Sequence, residues 1–562
     1  MAVFNPSSRL ATHDVTNQPP PFEDINLYAL DQPLREAVAR EGARWAEDKF
    51  RSLGARAGSA EVIEWAELAN RHAPQLHRYD RYGQRIDEIE FHPAYHALMD
   101  LGISHGVSSI AWTAPAGAGG HAAHAVLEYL MSQAEPGVCC PMTMTYASVP
   151  ALRHQPDLAQ SWEDLIEIAC YDPSSRPHKD KAGVTVGMAM TEKQGGSDVR
   201  SNTTRARPVG RSGPGRLYTL MGHKWFCSAP MSDAFLTLAY TNRGLSCFLV
   251  PRWREDGTRN EVHIMRLKNK LGDRSNASSE IEYHDAEAIL VGDEGRGLAV
   301  IMDMVHHTRL DTILAPAAFM RQAVVMAIWH TTHRTAFQKR LIDHPMMCGV
   351  LSDLALESEA ATATFMRLAR AFDESGTDPQ AAALARIATP LCKYWVNRRT
   401  TGVAFEAMEC LGGSGYIEDN IMPRLYRQAP LNSIWEGSGN VICLDVLRAI
   451  ERSPESVDAL FEEYATAKGG NRLYDRHLET ARTTIDIHGG IEADARRLIE
   501  YLALMFQASL LIRYAPVSVS DAFCAARLSD ARTLAYGTLA RADETTLIER
   551  ALPLNSVRSP AP

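Results

Sequence analysis

The hydrophobic period of this chain changes twice, and that limits its folds more than any other feature. Between about Gly183 and Gly292 apolar residues alternate with others in Val184 to Met190, Leu217 to Met221, Phe235 to Tyr240, Cys247 to Val250 and Ile281 to Tyr283, with Gly, Asp and Asn between the runs. Alternation buries one face of an extended segment, so this stretch predicts an antiparallel sheet or barrel of roughly a hundred residues. On both sides apolar residues recur at spacings of three and four. Leu34 to Ala46 and Val62 to Ala69 show this ahead of the sheet, and Leu298 to Phe337, Met346 to Asp373 and Pro379 to Leu411 show it afterwards. The last three far exceed the mean helix of about 11 to 12 residues, which predicts a bundle. Strands never alternate with helices, so a doubly wound sheet is excluded and the class is α+β. Four parts are expected: a helical domain over 1–182, a β-domain over 183–292, a helical bundle over 293–450 and a further helical unit over 451–562.

A chain of 562 residues is too long for a single core. With 45% hydrophobic and 22% charged residues it is an ordinary globular protein, neither fibrous nor disordered. Its 58 Lys and Arg against 68 Asp and Glu leave a net charge of −10, so a nucleic acid or anionic lipid would need a local basic patch. Ten Cys without regular spacing, Cys139 and Cys140 adjacent, suit a reducing compartment. The first ten residues carry no apolar core of a secretory signal, and Pro19 to Pro21 interrupt a transit helix. Tyr501 to Ile512, the longest nearly uncharged apolar stretch, is too short to span a bilayer and predicts a buried helix. These features predict a cytoplasmic chain without a membrane segment, and the tail from Ser556 is expected to fray.

Three short motifs carry candidate chemistry. In Met190 to Asp198, M-T-E-K-Q-G-G-S-D, a strand runs into a polar loop whose adjacent glycines let backbone N–H groups and the Thr191 and Ser197 hydroxyls approach a polar ring edge or a phosphate. A hairpin turn would read the same way. Gly222 to Ser228, G-H-K-W-F-C-S, ends a strand in two aromatics and a hydroxyl, which suits either a flat cofactor or an ordinary core strand. In Asn432 to Asn440, N-S-I-W-E-G-S-G-N, one carboxylate, Glu436, follows an apolar pair. Desolvation there would raise its pKa and make it a base, although a first-turn Glu capped by Ser433 or Asn432 is the structural alternative.

Taken in this order, with Lys270 to Ser275 (K-L-G-D-R-S), Gly292 to Gly297 (G-D-E-G-R-G), Arg334 to Phe337 (R-T-A-F) and Leu411 to Tyr416 (L-G-G-S-G-Y), the motifs resemble the acyl-CoA dehydrogenase superfamily over about residues 180 to 445. The long helical extension past residue 450 is similar to the branch of that superfamily associated with the response to DNA alkylation. The resemblance implies bound FAD, a homotetramer and an acyl-CoA ligand. It places Met190, Thr191, Gly196, Ser197, Phe226, Cys227, Ser228, Ile434, Trp435, Gly437, Ser438 and Asn440 around the flavin, with Thr191 on its pyrimidine side, Ser228 at its N5 edge and Phe226 packed on the ring. Arg334 and Phe337 would hold the pyrophosphate and adenine of a flavin across a subunit interface, and Ser197 and Arg309 would meet the substrate. Glu436 matches the catalytic base; the other position that serves as base in the superfamily, just before Arg309, is Thr308 here. Departures lie at Gln338, Pro345, Arg427-Gln428, Ser438 and Asn440, and they alter adenosine contacts while keeping hydroxyl and amide types in the base loop.

The same branch implies double-stranded DNA as a partner of the extension, with a role in protecting DNA or detoxifying alkylating agents. Residues 451–562 hold thirteen basic and sixteen acidic residues, so composition alone does not predict DNA. Arg472, Arg476, Arg482, Arg496, Arg497 and Arg513 are the candidates for one basic surface, against the alternative of helical ion pairs. A metabolic acyl-CoA dehydrogenase for short or branched acyl groups, passing electrons to a flavoprotein acceptor, is the second reading. Gly117 to Ala122 fits G-x-G-x-x-A without a βαβ context, and the pairs His121/His124 and His330/His333 lack a third metal ligand, so no dinucleotide fingerprint or metal site is expected.

Overall fold

The computed structural model describes residues 7–488, 490–530, 533–539 and 542–554. Expectations for the first six residues and for the tail from Ser556 lie outside these residues. The N-terminal part is built from helices, the most buried being Gly120–Ala134 and Cys139–Leu152, in which almost every side chain faces protein. The sequence reading missed one feature here. Strands β1 (Gln75–Tyr79) and β2 (Arg85–Glu90) form an antiparallel hairpin inside the helical region. Leu76 and Ile89 pack on the barrel, and the Arg78 guanidinium donates to the Met265 carbonyl at 3.1 Å, so neighbours, more than the local pattern, hold this hairpin.

The β-domain comprises β3 (Val186–Ala189), β4 (Arg205–Pro208), β5 (Leu217–Ser228), β6 (Ala234–Thr241), β7 (Gly244–Pro251), β8 (Val262–Leu267) and β9 (Ser278–Val291). Pairings β6–β7, β7–β9, β9–β5, β5–β4 and β4–β6 run in a closed circuit, with β3 added beside β6 and β8 beside β9. The barrel is therefore present, but it is not antiparallel throughout: β6 pairs parallel with β3 and, through Arg205 and Tyr240, with β4. Both parallel joints follow from long excursions of the chain, since tight hairpins can only make antiparallel neighbours. A register shift between Lys224 and Cys227 in the β5–β9 ladder lifts Trp225 and Phe226 out of pairing, at the edge where the cofactor motif was read.

Three long helices follow, Gly297–His333, Pro345–Glu374 and Pro379–Cys410, close to the predicted limits. Proline in the first turn starts the second and third, where its missing N–H costs nothing. The first helix ends four residues earlier than read, because Arg334 to Arg340 turns into a small hairpin, Thr335–Ala336 against Lys339–Arg340. An apolar window of this helix is long enough to cross a bilayer, yet 89% of it is buried in the protein, so it is the bundle's core helix.

The extension contributes helices Pro454–Ala465, Arg472–His488, Ala495–Tyr514, Val517–Arg527 and Glu544–Ala551. Tyr501 to Ile512 lies within a largely buried helix, as predicted. The buried residues of this unit belong to one continuous core with the bundle and the N-terminal helices. Buried charge pairs complete the joint: Arg367 and Arg513 with Glu463, Arg527 with Glu357, and Arg550 with both Glu359 and Glu36. Removing one partner of a buried pair strands the other charge, at about 3–5 kcal/mol. Arg550→Ala is therefore expected to lower the urea midpoint and to speed amide exchange in Glu544–Ala551 before the rest of the chain; an unchanged midpoint and exchange pattern would show that Arg550 does not dock the helix.

Candidate functional site

The loop after β3 is held from beneath by a buried ion pair. Lys224 and Glu192 lie 2.9 Å apart with side chains fully out of solvent. Lys224 also donates to the Leu238 carbonyl, and Glu192 accepts from the backbone N–H and hydroxyl of both Thr203 and Thr204. Burial would raise the Glu192 pKa, but Lys224 and these donors pull it to about 2, and burial holds the Lys224 ammonium below its ordinary value. The pair thereby fixes the positions on either side of it. The Trp225 N–H donates to the Thr191 carbonyl at 2.8 Å, which joins the two cofactor motifs side by side. A Cβ on Gly196 would stand 2.3 Å from the Thr191 hydroxyl, so only glycine leaves that hydroxyl in place. Phe226 is 49% exposed on this edge, Lys268 lies over the neighbouring Trp225 ring, and Met190 and Ser228 are half-buried. Hydroxyls, an exposed ring and an open glycine loop fit a flat polar ring system of the flavin type. Cys227 is corrected: its thiol is buried in the barrel core, and its carbonyl accepts from the Ser279 hydroxyl, so only its backbone belongs to this edge.

The base loop arises in the bundle. Glu436 adopts a left-handed backbone, φ +56°, which an L-residue other than Gly, Asn or Asp holds only under constraint. The constraint is Lys393. It sits in the apolar run P-L-C-K-Y-W-V of the third long helix, and its ammonium donates to the carbonyls of Asn432, Trp435 and Gly437 at 3.0, 2.9 and 2.9 Å. These acceptors use all three protons of the ammonium, against burial, which pulls its pKa down to about 7. Arg309 donates to the Glu436 carbonyl at 3.2 Å and pairs with Asp445 at 2.7 Å; Arg386 holds the other Asp445 oxygen at 3.0 Å. Arg309 therefore braces the base loop, and this replaces the expectation that it meets substrate. The Glu436 carboxylate accepts from the Thr308 hydroxyl at 3.0 Å. Burial raises its pKa above the ordinary carboxylate value, with Thr308, Lys393 and Arg309 opposing. A raised carboxylate in an apolar wall is suited to take a proton from a weakly acidic C–H.

The two loops meet. Met190 and Trp435 pack against the same buried cluster, and the Cys140 thiol in it lies beside the Ser228 hydroxyl and within the field of Glu436. Ile434 is 62% exposed, Trp435 donates to the Asn432 side chain, and Gly437 and Ser438 lead into the Gly439–Arg452 helix. Ser197 is exposed at the loop's outer edge. Arg334 and Phe337 are elsewhere. Thr308 lies in the first half of the Gly297–His333 helix and Arg334 caps its far end, 334 − 308 = 26 residues on, roughly 39 Å at 1.5 Å per residue. There Arg334 donates to the Asn17 carbonyl and the Gln18 side chain. Phe337 is 91% exposed, and both Phe337 and Gln338 are left-handed at the hairpin tip.

On the extension, Arg472, Arg476, Arg482, Arg496 and Arg497 are exposed. Arg482 pairs with Asp458, and Arg496 donates to the Asn440 side chain at 2.9 Å, which ties the extension to the helix after the base loop. Asn440 is thus engaged from the outside. Arg513 is withdrawn from the basic surface, because its guanidinium is spent on buried Glu463. His124 bonds Val107 and Asp311, His121 bonds Tyr146, and among the described residues no metal-binding group of His, Cys, Asp and Glu occurs. Sequence reading missed Lys393, Glu192 and Lys224; the signal for the two lysines was a lone cation inside an otherwise apolar helix or strand.

Three families match the chain in order. The adaptive response protein AidB N-terminal domain covers residues 17–173, the acyl-CoA dehydrogenase middle domain 187–286, and the acyl-CoA dehydrogenase C-terminal domain 295–451. The AidB protein of Escherichia coli K12, which bears the name of an acyl-CoA dehydrogenase, is 44% identical over 514 residues, 91% of this chain and 94% of the relative. Acyl-CoA dehydrogenase family member 11 of Caenorhabditis elegans is 30% identical over 83% of this chain and 76% of its own. A solved structure of Caenorhabditis elegans ACDH-11 in complex with C11-CoA superposes with a TM-score of 0.83 at 25% identity, covering 99% of each chain.

Because three buried carbonyls share one donor, each costing about 1–3 kcal/mol when left unpaired, Lys393→Met is expected to destabilise the protein by at least about 3 kcal/mol. Urea unfolding measures this, and a loss under about 1 kcal/mol would show that the loop does not depend on Lys393.

Proposed function

We propose a function from one premise: this chain belongs to the acyl-CoA dehydrogenase family, in its AidB branch. FAD is the cofactor that membership implies. The residues fit it, with Thr191 and Ser228 as hydroxyls for the ring edge, Phe226 exposed beside them and Gly196 leaving the loop open. Our reading is an FAD-containing, acyl-CoA dehydrogenase-like protein of the response to DNA alkylation, which binds double-stranded DNA through its extension and acts in the cytoplasm as a homotetramer. Two features support it: identity to the AidB relative over a span long enough to reach into the extension, and the exposed Arg472, Arg476 and Arg497 there. In a symmetric assembly these arginines would recur as a longer positive groove. Contacts of that kind are made to phosphates, so they give little sequence preference and a strong salt dependence.

The site retains the groups for α,β-dehydrogenation of an acyl thioester, and the C11-CoA bound to the Caenorhabditis neighbour supports this second reading. Glu436, raised by burial and steadied by Thr308, would take the proton from the carbon next to the thioester. Its backbone N–H would donate to the thioester oxygen as negative charge develops there. The bound flavin would supply the acceptor for hydride from the β carbon. Arg309, Asp445 and Lys393 would hold the loop so that base and N–H face one substrate.

Two outcomes test this. The purified yellow protein is expected to retard a duplex oligonucleotide at low salt and to lose at least about tenfold in affinity between 50 and 200 mM salt; unchanged mobility at low ionic strength would exclude DNA association. Short branched acyl-CoA is expected to bleach the flavin, with a rate that rises with pH. The sign follows from the raised pKa: the basic form of Glu436 fills only above that value, so the limb lies above the ordinary carboxylate range. Glu436→Gln should keep the flavin and abolish bleaching. Equal bleaching in the variant would remove Glu436 as the base.

A further inference from the structure

Behind the cofactor edge, a lysine donates to a buried hydroxyl. The Lys270 ammonium, in the loop between β8 and β9, donates to the Asn276 carbonyl at 2.9 Å and to the Ser278 hydroxyl at 3.1 Å. Ser278 opens β9 and is buried, and its hydroxyl lies 3.2 Å from that of Ser228, its ladder partner at the end of β5. Hydroxyl hydrogen bonds can run either way, but an ammonium has no lone pair and can only donate. Ser278 must accept from Lys270, so its own proton is available to Ser228. The acidic side chains that face Lys270 are Asp273 and Glu135, with the Cys140 thiol; all three favour its charged, donating form against burial. Cys140 also lies beside Ser228, but its thiol, pushed up to about 12 by burial, remains protonated and is a weak acceptor.

We propose that Lys270 and Ser278 are positioning residues of the flavin site: they polarise the Ser228 hydroxyl in a one-way chain, Lys270 to Ser278 to Ser228, so that its proton points at N5 of the ring. This rests on the flavin reading above. A donor there would draw electron density from N5 of the oxidised ring, so the chain would make the bound flavin a stronger electron acceptor. The effect would be transmitted through two hydrogen bonds, with Lys270 and Ser278 acting from behind Ser228.

The test is redox titration of the purified holoprotein against a reference dye, with flavin content read first from the visible spectrum. Ser278→Ala and Lys270→Met, each keeping its flavin, are expected to shift the reduction equilibrium toward the oxidised form by about tenfold, which is roughly 30 mV for a two-electron couple. Ser278→Thr retains the hydroxyl and is expected to titrate with the unsubstituted protein, which a merely structural role for Ser278 would not require. An unchanged potential in Ser278→Ala or in Lys270→Met overturns the relay while leaving the flavin reading intact. A colourless unsubstituted protein would instead overturn the flavin reading itself.

Discussion

The arrangement of this protein turns on a lysine in the wrong solvent. Lys393 lies inside a helical bundle, where an unpaired ammonium would be costly, and it is stable only because three carbonyls of the base loop converge on it. The dependence is mutual. Without Lys393 the carbonyls would be buried without a donor, and the left-handed backbone at Glu436 would lack its chief restraint. Once the loop is fixed, the carboxylate is fixed beside Thr308, and the chemistry available to the site follows from that placement.

The same device recurs on the barrel side. Glu192 and Lys224 form a fully buried pair whose remaining hydrogen-bonding capacity is taken by Thr203, Thr204 and the Leu238 carbonyl. A buried pair of this kind adds little net stability over well-packed apolar residues, but it tolerates only one geometry. What it secures is position: Thr191 on one side and Trp225 on the other, joined through a single backbone hydrogen bond. The two halves of the site are thus each pinned from behind by a buried charge.

Much of this was legible in the sequence, for identifiable reasons. The change of period from 3.6 to two and back located the barrel and the three long helices, because burial of one face is a local property of a segment. Glu436, Thr191 and Ser228 could be singled out as candidates because each stands in a short, continuous motif. What escaped depends on partners far away in the chain. The β1–β2 hairpin is held by the barrel, Lys393 has acceptors some forty residues on, and Arg513 reads as a surface cation until Glu463 is seen beside it. Arg309 is instructive in the same way. The resemblance put it against the substrate, and only the loop that folds back onto it reveals a brace.

The extension is no passive addition. Its helices share the bundle's core, and Arg496 reaches Asn440 four residues beyond the base. Anything that draws on Arg496 from outside would compete for the bond to Asn440, so the outer surface of the extension and the Gly439–Arg452 helix are mechanically linked. The far end of the core helix obeys a different logic. Arg334 and Phe337 lie too far from Thr308 for one chain to bring both to a single cofactor. An aromatic ring that is 91% exposed on a left-handed turn buries almost none of its surface within its own chain. If it contacts a cofactor, that cofactor belongs to another copy, and site completion and assembly then become one event.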